Sequence, residues 1–280
     1  MVHKLAIIAA IGLTASAVCI GAAAAIGGKD FADNFDGDFS LFDHRPHCEA
    51  VAGANAGVRD LDWDGSDHVG LGVYGPTTYT PGSGDKLHAA GDPQVLAHLR
   101  IRDGNVELDC RGWRDRTRDI TVTLPGREFR KFGLNGGGNL TLNNLNQADL
   151  TIGIGGAGRV RASGKLETMK LAIGGSGNID LDQITARQAK AEIGGSGTIR
   201  AKGAIDDLDI RIGGSGRADF GAVASSKADV RIGGHGDVDI APTEVAKISI
   251  GGSGDVTLHS NPKELETHIG GSGQIHRTAS

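Results

Sequence analysis

The chain carries no surplus of positive charge: 29 Lys and Arg stand against 34 Asp and Glu, a net charge of −5. A nucleic-acid footprint needs a basic patch or stripe, which sets that class of partner aside. Aromatic residues are scarce at 4 %, so any buried face has to be read from aliphatic residues. No stretch carries the 3.6-residue apolar period of an amphipathic helix, which argues against helical repeats. Cysteine is limited to three residues. Glycine is the exception, with 46 of 280 residues, roughly double its usual share of about 7 %. It lacks the every-third-residue spacing of collagen and clusters in one spaced motif.

That motif is an aliphatic residue, two glycines, a small residue and a third glycine. It begins at Ile154, Ile173, Ile193, Ile212, Ile232, Ile250 and Ile269, with a degenerate copy at Leu134. The spacing is about 19 residues, a period that marks a solenoid. Two and four residues before each Ile the positions are mostly apolar, as at Leu150 and Ile152 or Leu208 and Ile210. Six and eight residues after it they are apolar again, as at Ile179 and Leu181 or Val256 and Leu258. Period-two alternation on both sides predicts two short strands per repeat, each with one buried face. The glycines between them are expected to supply positive φ and close backbone approach at a corner. A further apolar residue (Leu145, Leu166, Ile184, Ile205 or Val223) is expected to plug the opposite corner. The reading is an all-β fold, a single-stranded parallel β-helix with one repeat per coil over residues 132–280.

Residues 51–131 lack the glycine signature. Turn signals such as Gly91-Asp92-Pro93 separate short alternating runs, among them Val69–Tyr74, His98–Ile101, Val106–Cys110 and Ile120–Leu124. The segment is either an irregular start of the solenoid or a cap on its first coil. Residues 26–50, with Asp30, Asp33, Asp36, Asp38 and Asp43, read as an acidic flexible linker. Residues 1–25 read as a signal peptide: an apolar run Leu5–Ile20, then Gly21 to Ala25 as a small-residue cleavage tract. The competing reading is an uncleaved anchor, because the uncharged stretch from Leu5 to Gly28 is long enough to span a bilayer. Removing the signal leaves Cys48 and Cys110, and an even pair in an exported chain predicts a disulfide. His44, His47 and Cys48 lie close in sequence but have no second ligand cluster, so no metal site is assigned.

These features resemble the bacterial head GIN domain family, also called putative auto-transporter adhesins. The resemblance rests on the tandem Ile-Gly-Gly-Ser-Gly coils and on Arg102-Asp103-Gly104-Asn105-Val106-Glu107-Leu108 ahead of them. Val122-Thr123-Leu124-Pro125, leading into Phe132 to Leu142, completes it. It covers roughly Val51 to Ile275. It implies a right-handed parallel β-helix exported to the periplasm or cell surface, with no established enzymatic activity.

Three function classes compete. A calcium-binding Gly-Gly-x-Gly repeat needs an Asp at its sixth position; here that position holds Val160, Ile179, Ile199, Ala218, Val238, Val256 and Ile275. No cofactor or metal is expected in the coils. A carbohydrate-active enzyme, lyase or hydrolase, needs clustered carboxylates or bases. The candidates are Asp219, Asp237, Asp239 and Arg217 beside His235, where the small corner residue becomes a His. Asp237 and Asp239 flank Val238, so both are expected to face outward. The third class is a binding scaffold. Its outward ladder, seven residues after each Ile, reads Arg161, Asp180, Arg200, Asp219, Asp239, Thr257 and His276. That ladder, with His235 and Asp237, is the candidate surface for an envelope polymer, glycan or protein. The last coil, near Gln274 and Ile275, is expected to leave an open β-edge able to self-associate.

Overall fold

The computed structural model describes residues 45–278. The expected signal peptide, residues 26–44 of the expected linker and His44 lie outside the described residues. No helix among the described residues is long and apolar enough to cross a membrane.

The elements in chain order are β1 (Val58–Asp62), β2 (His68–Leu71), β3 (Pro76–Tyr79), β4 (Lys86–Ala90), α1 (Pro93–His98), β5 (Leu99–Arg102), β6 (Asn105–Leu108), β7 (Thr121–Thr123) and β8 (Lys131–Leu134). The regular part follows as β9 (Asn139–Ile154), β10 (Arg159–Ile173), β11 (Asn178–Ile193), β12 (Thr198–Ile212), β13 (Arg217–Ile232) and β14 (Asp237–Ile250). The last coil is β15 (Val256–Leu258), β16 (Glu264–Ile269) and β17 (Ile275–Arg277). Parallel coils of about 20 residues stack into a β-solenoid of about 7 turns. At an inter-strand spacing of ~4.8 Å, each coil adds one rung.

Stacking puts like on like. Leu71 lies beside Leu134, Leu134 beside Ile154, and Ile154, Ile173, Ile193, Ile212, Ile232, Ile250 and Ile269 follow in one column. From Ile154 to Ile250 each is at most 2 % exposed. Fully burying such a side chain stabilises by about 1.5–3 kcal/mol, before ordering costs. The column that an RTX-type repeat would give to calcium ligands is buried as well, from Val160 to Val256.

Two expectations are corrected here. Each coil from β9 to β14 is one unbroken strand of 14–16 residues, not two short ones. The bends stack on each other, so the ladder runs on round the corner. Nor do the Gly-Gly-Ser-Gly turns use positive φ, since the positive-φ residues of this region are Asn144, Gly164, Gln183 and Gly203, at the opposite bend. The turn glycines serve close approach instead. A Cβ on Gly175 would lie 2.3 Å from the Gly156 carbonyl oxygen, and one on Gly177 would lie 2.5 Å from Ile154 Cγ2.

The opposite bend explains the alternating repeat length. The 16-residue strands β9 and β11 turn through a left-handed Asn144 or Gln183 and bury Leu145 or Ile184. The 15-residue strands β10 and β12 set Gly164 or Gly203 against those residues and place the plugs Leu166 and Ile205 two positions later. A Cβ on Gly164 would lie 2.2 Å from the Leu145 carbonyl oxygen. Long and short coils therefore interdigitate.

The segment 51–131 is both a first coil and a cap. β2 and β3 form a coil whose strands pair in parallel with β8 and β9. The chain between β3 and β8 then loops to the other side of that coil. There β6 joins β2 and β7 joins β3, again in parallel. Antiparallel pairing closes the end: β5 lies on β6, β4 on β7 and β1 on β4. The expected turn at Gly91-Asp92-Pro93 is the start of α1, where the Asp92 carboxylate accepts from the Gln94 N–H at 2.9 Å and Pro93 sits in the first turn. Val95 and Leu96 of α1 are buried. Trp63, Tyr79, Phe129 and Phe132 pack edge-on or tilted, with ring centroids 5.0–5.8 Å apart.

The Cys48–Cys110 disulfide is formed, with a Cα–Cα distance of 4.9 Å. Residues 45–48, expected inside the linker, are tied to the fold. Arg45 Nη1 donates to Glu107 Oε2 and to the Leu108 carbonyl, and the backbones of Pro46 and Cys48 bond to Arg111.

Candidate functional site

Two outward faces carry the charge. The first holds the expected ladder. Thr141, Arg161, Asp180, Arg200, Asp219, Asp239, Thr257 and His276 stack in register on successive coils. Two residues earlier on the same face, Arg159, Asn178, Thr198, Arg217 and Asp237 form a second row. Arg200 Nη1 stands 3.6 Å from Asp180 Oδ1, the alternation of sign joining neighbouring coils.

Where the two rows meet near the C-terminus they interlock. Arg217 Nη2 donates to Asp239 Oδ2, while its Nη1 stands 3.7 Å from Asp237 Oδ2. His259 Nε2 lies 3.2 Å from Asp239 Oδ1, and its Nδ1 lies 3.0 Å from Thr278 Oγ1. Asp239 is therefore covered, at 8 % exposure, while Asp237 stays exposed. The expectation that both carboxylates face solvent is corrected: both point away from the core, but Arg217 and His259 close over Asp239. His235 contacts Ser253 Oγ through Nδ1, staying within the corner row rather than joining the carboxylates.

The order Asp239, His259, Thr278 is carboxylate, imidazole, hydroxyl, the sequence of a nucleophile relay. Here the carboxylate is shared with Arg217, and Thr278 Oγ1 also donates to the Leu258 carbonyl at 3.3 Å. The row ties the chain's last described residue to the rod.

The second face is one the sequence reading passed over. Its rows precede the Ile by one and three residues. Lys190 Nζ lies 2.9 Å from Glu192 Oε1, and Arg211 Nη1 lies 3.2 Å from the same atom. Arg211 Nη2 reaches Asp209 Oδ2 at 2.7 Å, and Arg231 bridges Asp209 and Asp229. Glu192 is 6 % exposed. Burial pushes the Asp209 carboxyl up from its ordinary range, against the pull of Arg211 and Arg231. The outward positions of the leg before each Ile held the signal for this lattice.

One group of potential metal ligands stands apart, His98, Asp109 and Cys110. Cys110 is held in the disulfide, and His98 uses Nδ1 on Asp109 Oδ1 and Nε2 on the Glu49 carbonyl. The three serve to fasten the cap. Cys48 is likewise committed, which removes it from any site with His47.

A family model described as putative auto-transporter adhesin, head GIN domain, matches residues 73–262. No curated protein matches. Among solved structures, a putative lipid binding protein from Parabacteroides distasonis is similar at a TM-score of 0.69 and 20 % identity, covering 79 % of this chain and 96 % of that one. A putative adhesin from Bacteroides fragilis covers 83 % and 99 % at a TM-score of 0.58 and 17 % identity. One from Parabacteroides merdae covers 79 % and 95 % at 0.69 and 17 %. At these identities the likeness is one of fold.

Proposed function

Because the chain belongs to the head GIN domain family of putative auto-transporter adhesins, we propose that it is an exported, non-enzymatic scaffold that binds an extended envelope polymer along its outward ladder. The observation that carries this reading is the ladder itself. Arg161, Asp180, Arg200 and Asp219 repeat once per coil on one face. Charged groups at a ~4.8 Å repeat offer regular anchors to the repeating polar groups of a glycan. His235, Asp237 and Asp239 mark the end of this track. The interior is filled by aliphatic columns, so any ligand, a lipid included, lies on the outside of the rod. The export signal and the disulfide support a place in the periplasm or on the cell surface.

The test is glycan-array binding by the exported chain and by a variant with Arg161, Asp180, Arg200 and Asp219 all changed to Ser. Binding by the parent and its loss in a variant with an unchanged circular dichroism spectrum are the expected results. Equal binding by both would remove the ladder from the function. Glycan cleavage abolished by Asp239→Asn would replace the scaffold with an enzyme.

A further inference from the structure

The two ends of the rod are finished differently. At the N-terminal end the antiparallel strands β5, β4 and β1 close the stack, with α1 packed beside them. At the C-terminal end, among the described residues, β16 pairs with β14 alone and β17 with β15 alone. Residues that continue the core columns are uncovered there: Ile269 is 44 % exposed, while Ile250 beneath it is 0 % exposed.

The two open strands are not equivalent. In β17, Arg277 sits on Leu258, so a charge occupies a core-facing column. An inward-pointing charge is a known device for blunting a sheet edge. In β16 the core-facing residues are Leu265, Thr267 and Ile269, above Ala246, Ile248 and Ile250. Its outward residues are Glu264, Glu266 and His268. This edge is not blunted.

The backbone limits how β16 can be extended. The Gly270 N–H bonds to the Ile250 carbonyl. Alternate residues of a ladder strand point their backbone groups to opposite sides, so Glu264, Glu266 and His268 face β14. The N–H and C=O groups of Leu265, Thr267 and Ile269 point off the end of the rod. An added antiparallel strand must meet these three residues with three of its own kind.

A second β16 does so in one register with matched side chains. With Thr267 opposite Thr267 on a twofold axis, Leu265 faces Ile269 twice and Glu266 faces His268 twice. Glu264 then lies over Gly270, where a Cβ would meet nothing closer than 4.0 Å. Moving the axis to Glu266 sets two carboxylates against each other, which disfavours that register. The core-facing columns of the two copies become continuous across the axis. A twofold contact uses the same strand of both copies, so it closes as a dimer rather than growing into a filament.

We propose that two copies of this chain join end to end through antiparallel β16 strands about a twofold axis at Thr267. The inference is independent of the ladder reading, since it uses the end of the rod and not its face. Sedimentation velocity of the exported chain over a concentration series is expected to show a monomer–dimer equilibrium with an elongated dimer. Thr267→Lys sets two like charges on the axis and should weaken the dimer at least about tenfold. Gln188→Lys, the same charge at an exposed position in mid-rod, should leave it unchanged. Register is read by oxidative cross-linking. A hydrogen-bonded antiparallel pair places Cα atoms about 5.5 Å apart, within the disulfide range. Thr267→Cys is therefore expected to give a covalent dimer on a non-reducing gel, and Glu266→Cys to give none. A chain that stays monomeric at every concentration overturns the proposal, as would an open strand taken by another protein instead. A dimer indifferent to Thr267→Lys, or cross-linked through position 266 and not 267, overturns it equally.

Discussion

The coils from β9 to β14 and the segment 45–130 use the same two-legged stack but are specified in different ways. The regular coils hold their place by repetition: aliphatic columns, glycine turns and a bend that alternates between two lengths. The N-terminal segment contributes one coil to the repeat and otherwise relies on single contacts, namely the Trp63–Phe129–Tyr79 cluster, the α1 cap and the Cys48–Cys110 bridge. Stability in a solenoid is close to a sum of coil and neighbour terms, so damage in one coil spreads mainly to its neighbours. The capped end has no such redundancy. Losing one of its contacts is expected to loosen the cap while the coils persist.

The largest expected effect tests that contrast directly. Cys48 and Cys110 are separated by 62 residues, and opening a loop of that size costs about 4 kcal/mol on the chain-entropy estimate. Both tryptophans, Trp63 and Trp113, lie in the N-terminal segment. In the Cys48→Ser/Cys110→Ser variant, tryptophan fluorescence should report a urea transition well before far-UV circular dichroism, which is dominated by the coils. Coincident transitions would mean that cap and coils unfold as one unit.

A smaller effect separates the first and second positions of the Gly-Gly pair that recurs from turn to turn. A Cβ on Gly195 would lie 2.1 Å from the Gly175 carbonyl oxygen, whereas one on Gly251 would find its nearest neighbour at 3.8 Å. Gly195→Ala forces two stacked coils apart and should destabilise by about 2–3 kcal/mol, the upper part of the usual range for overpacking. Gly251→Ala should stay within about 0.5 kcal/mol of the parent, because nothing has to move. Equal losses in urea unfolding would mean that the turn glycines are required for backbone conformation rather than for close approach.

That distinction marks the boundary of what the sequence revealed. The recurring Ile and its apolar neighbours specify the columns, because side chains buried in a stack must repeat with the coil. The glycines mark the turns but do not say why they are glycine, since positive φ and close approach demand the same residue. The first coil was hidden for another reason. Leu71-Gly72-Val73-Tyr74-Gly75 is a turn of the same kind, stacked beneath Leu134, but the intervening strands set Leu134 63 positions after Leu71 and break the period. The charged ladder was legible as a row, yet its enclosure at Asp239 was not, because His259 comes from the next coil. The Glu192–Arg211–Asp209 lattice went unseen for the same reason, each member being an ordinary outward polar residue in its own coil.

The gentlest probe of the regular half is that lattice. Asp209 Oδ1 is buried and makes no hydrogen bond, with Arg231 Nη1 3.6 Å away. Burial raises the folded-state pKa of the carboxyl above its unfolded value. The folded protein therefore holds the Asp209 proton more tightly than the unfolded chain does. Its contribution to stability is most favourable below the unfolded value of about 3.9 and declines as the pH rises from there through the folded-state pKa. In Asp209→Asn that decline is removed, while Arg211 keeps Glu192 and Arg231 keeps Asp229. The variant's Tm, relative to the parent's, is expected to shift upward between pH 4 and pH 7. A parallel course of the two Tm curves would mean that the paired arginines already cancel the cost of burial. An interlocked face would then cost the regular coils nothing, and the contrast with the singly fastened cap would sharpen further.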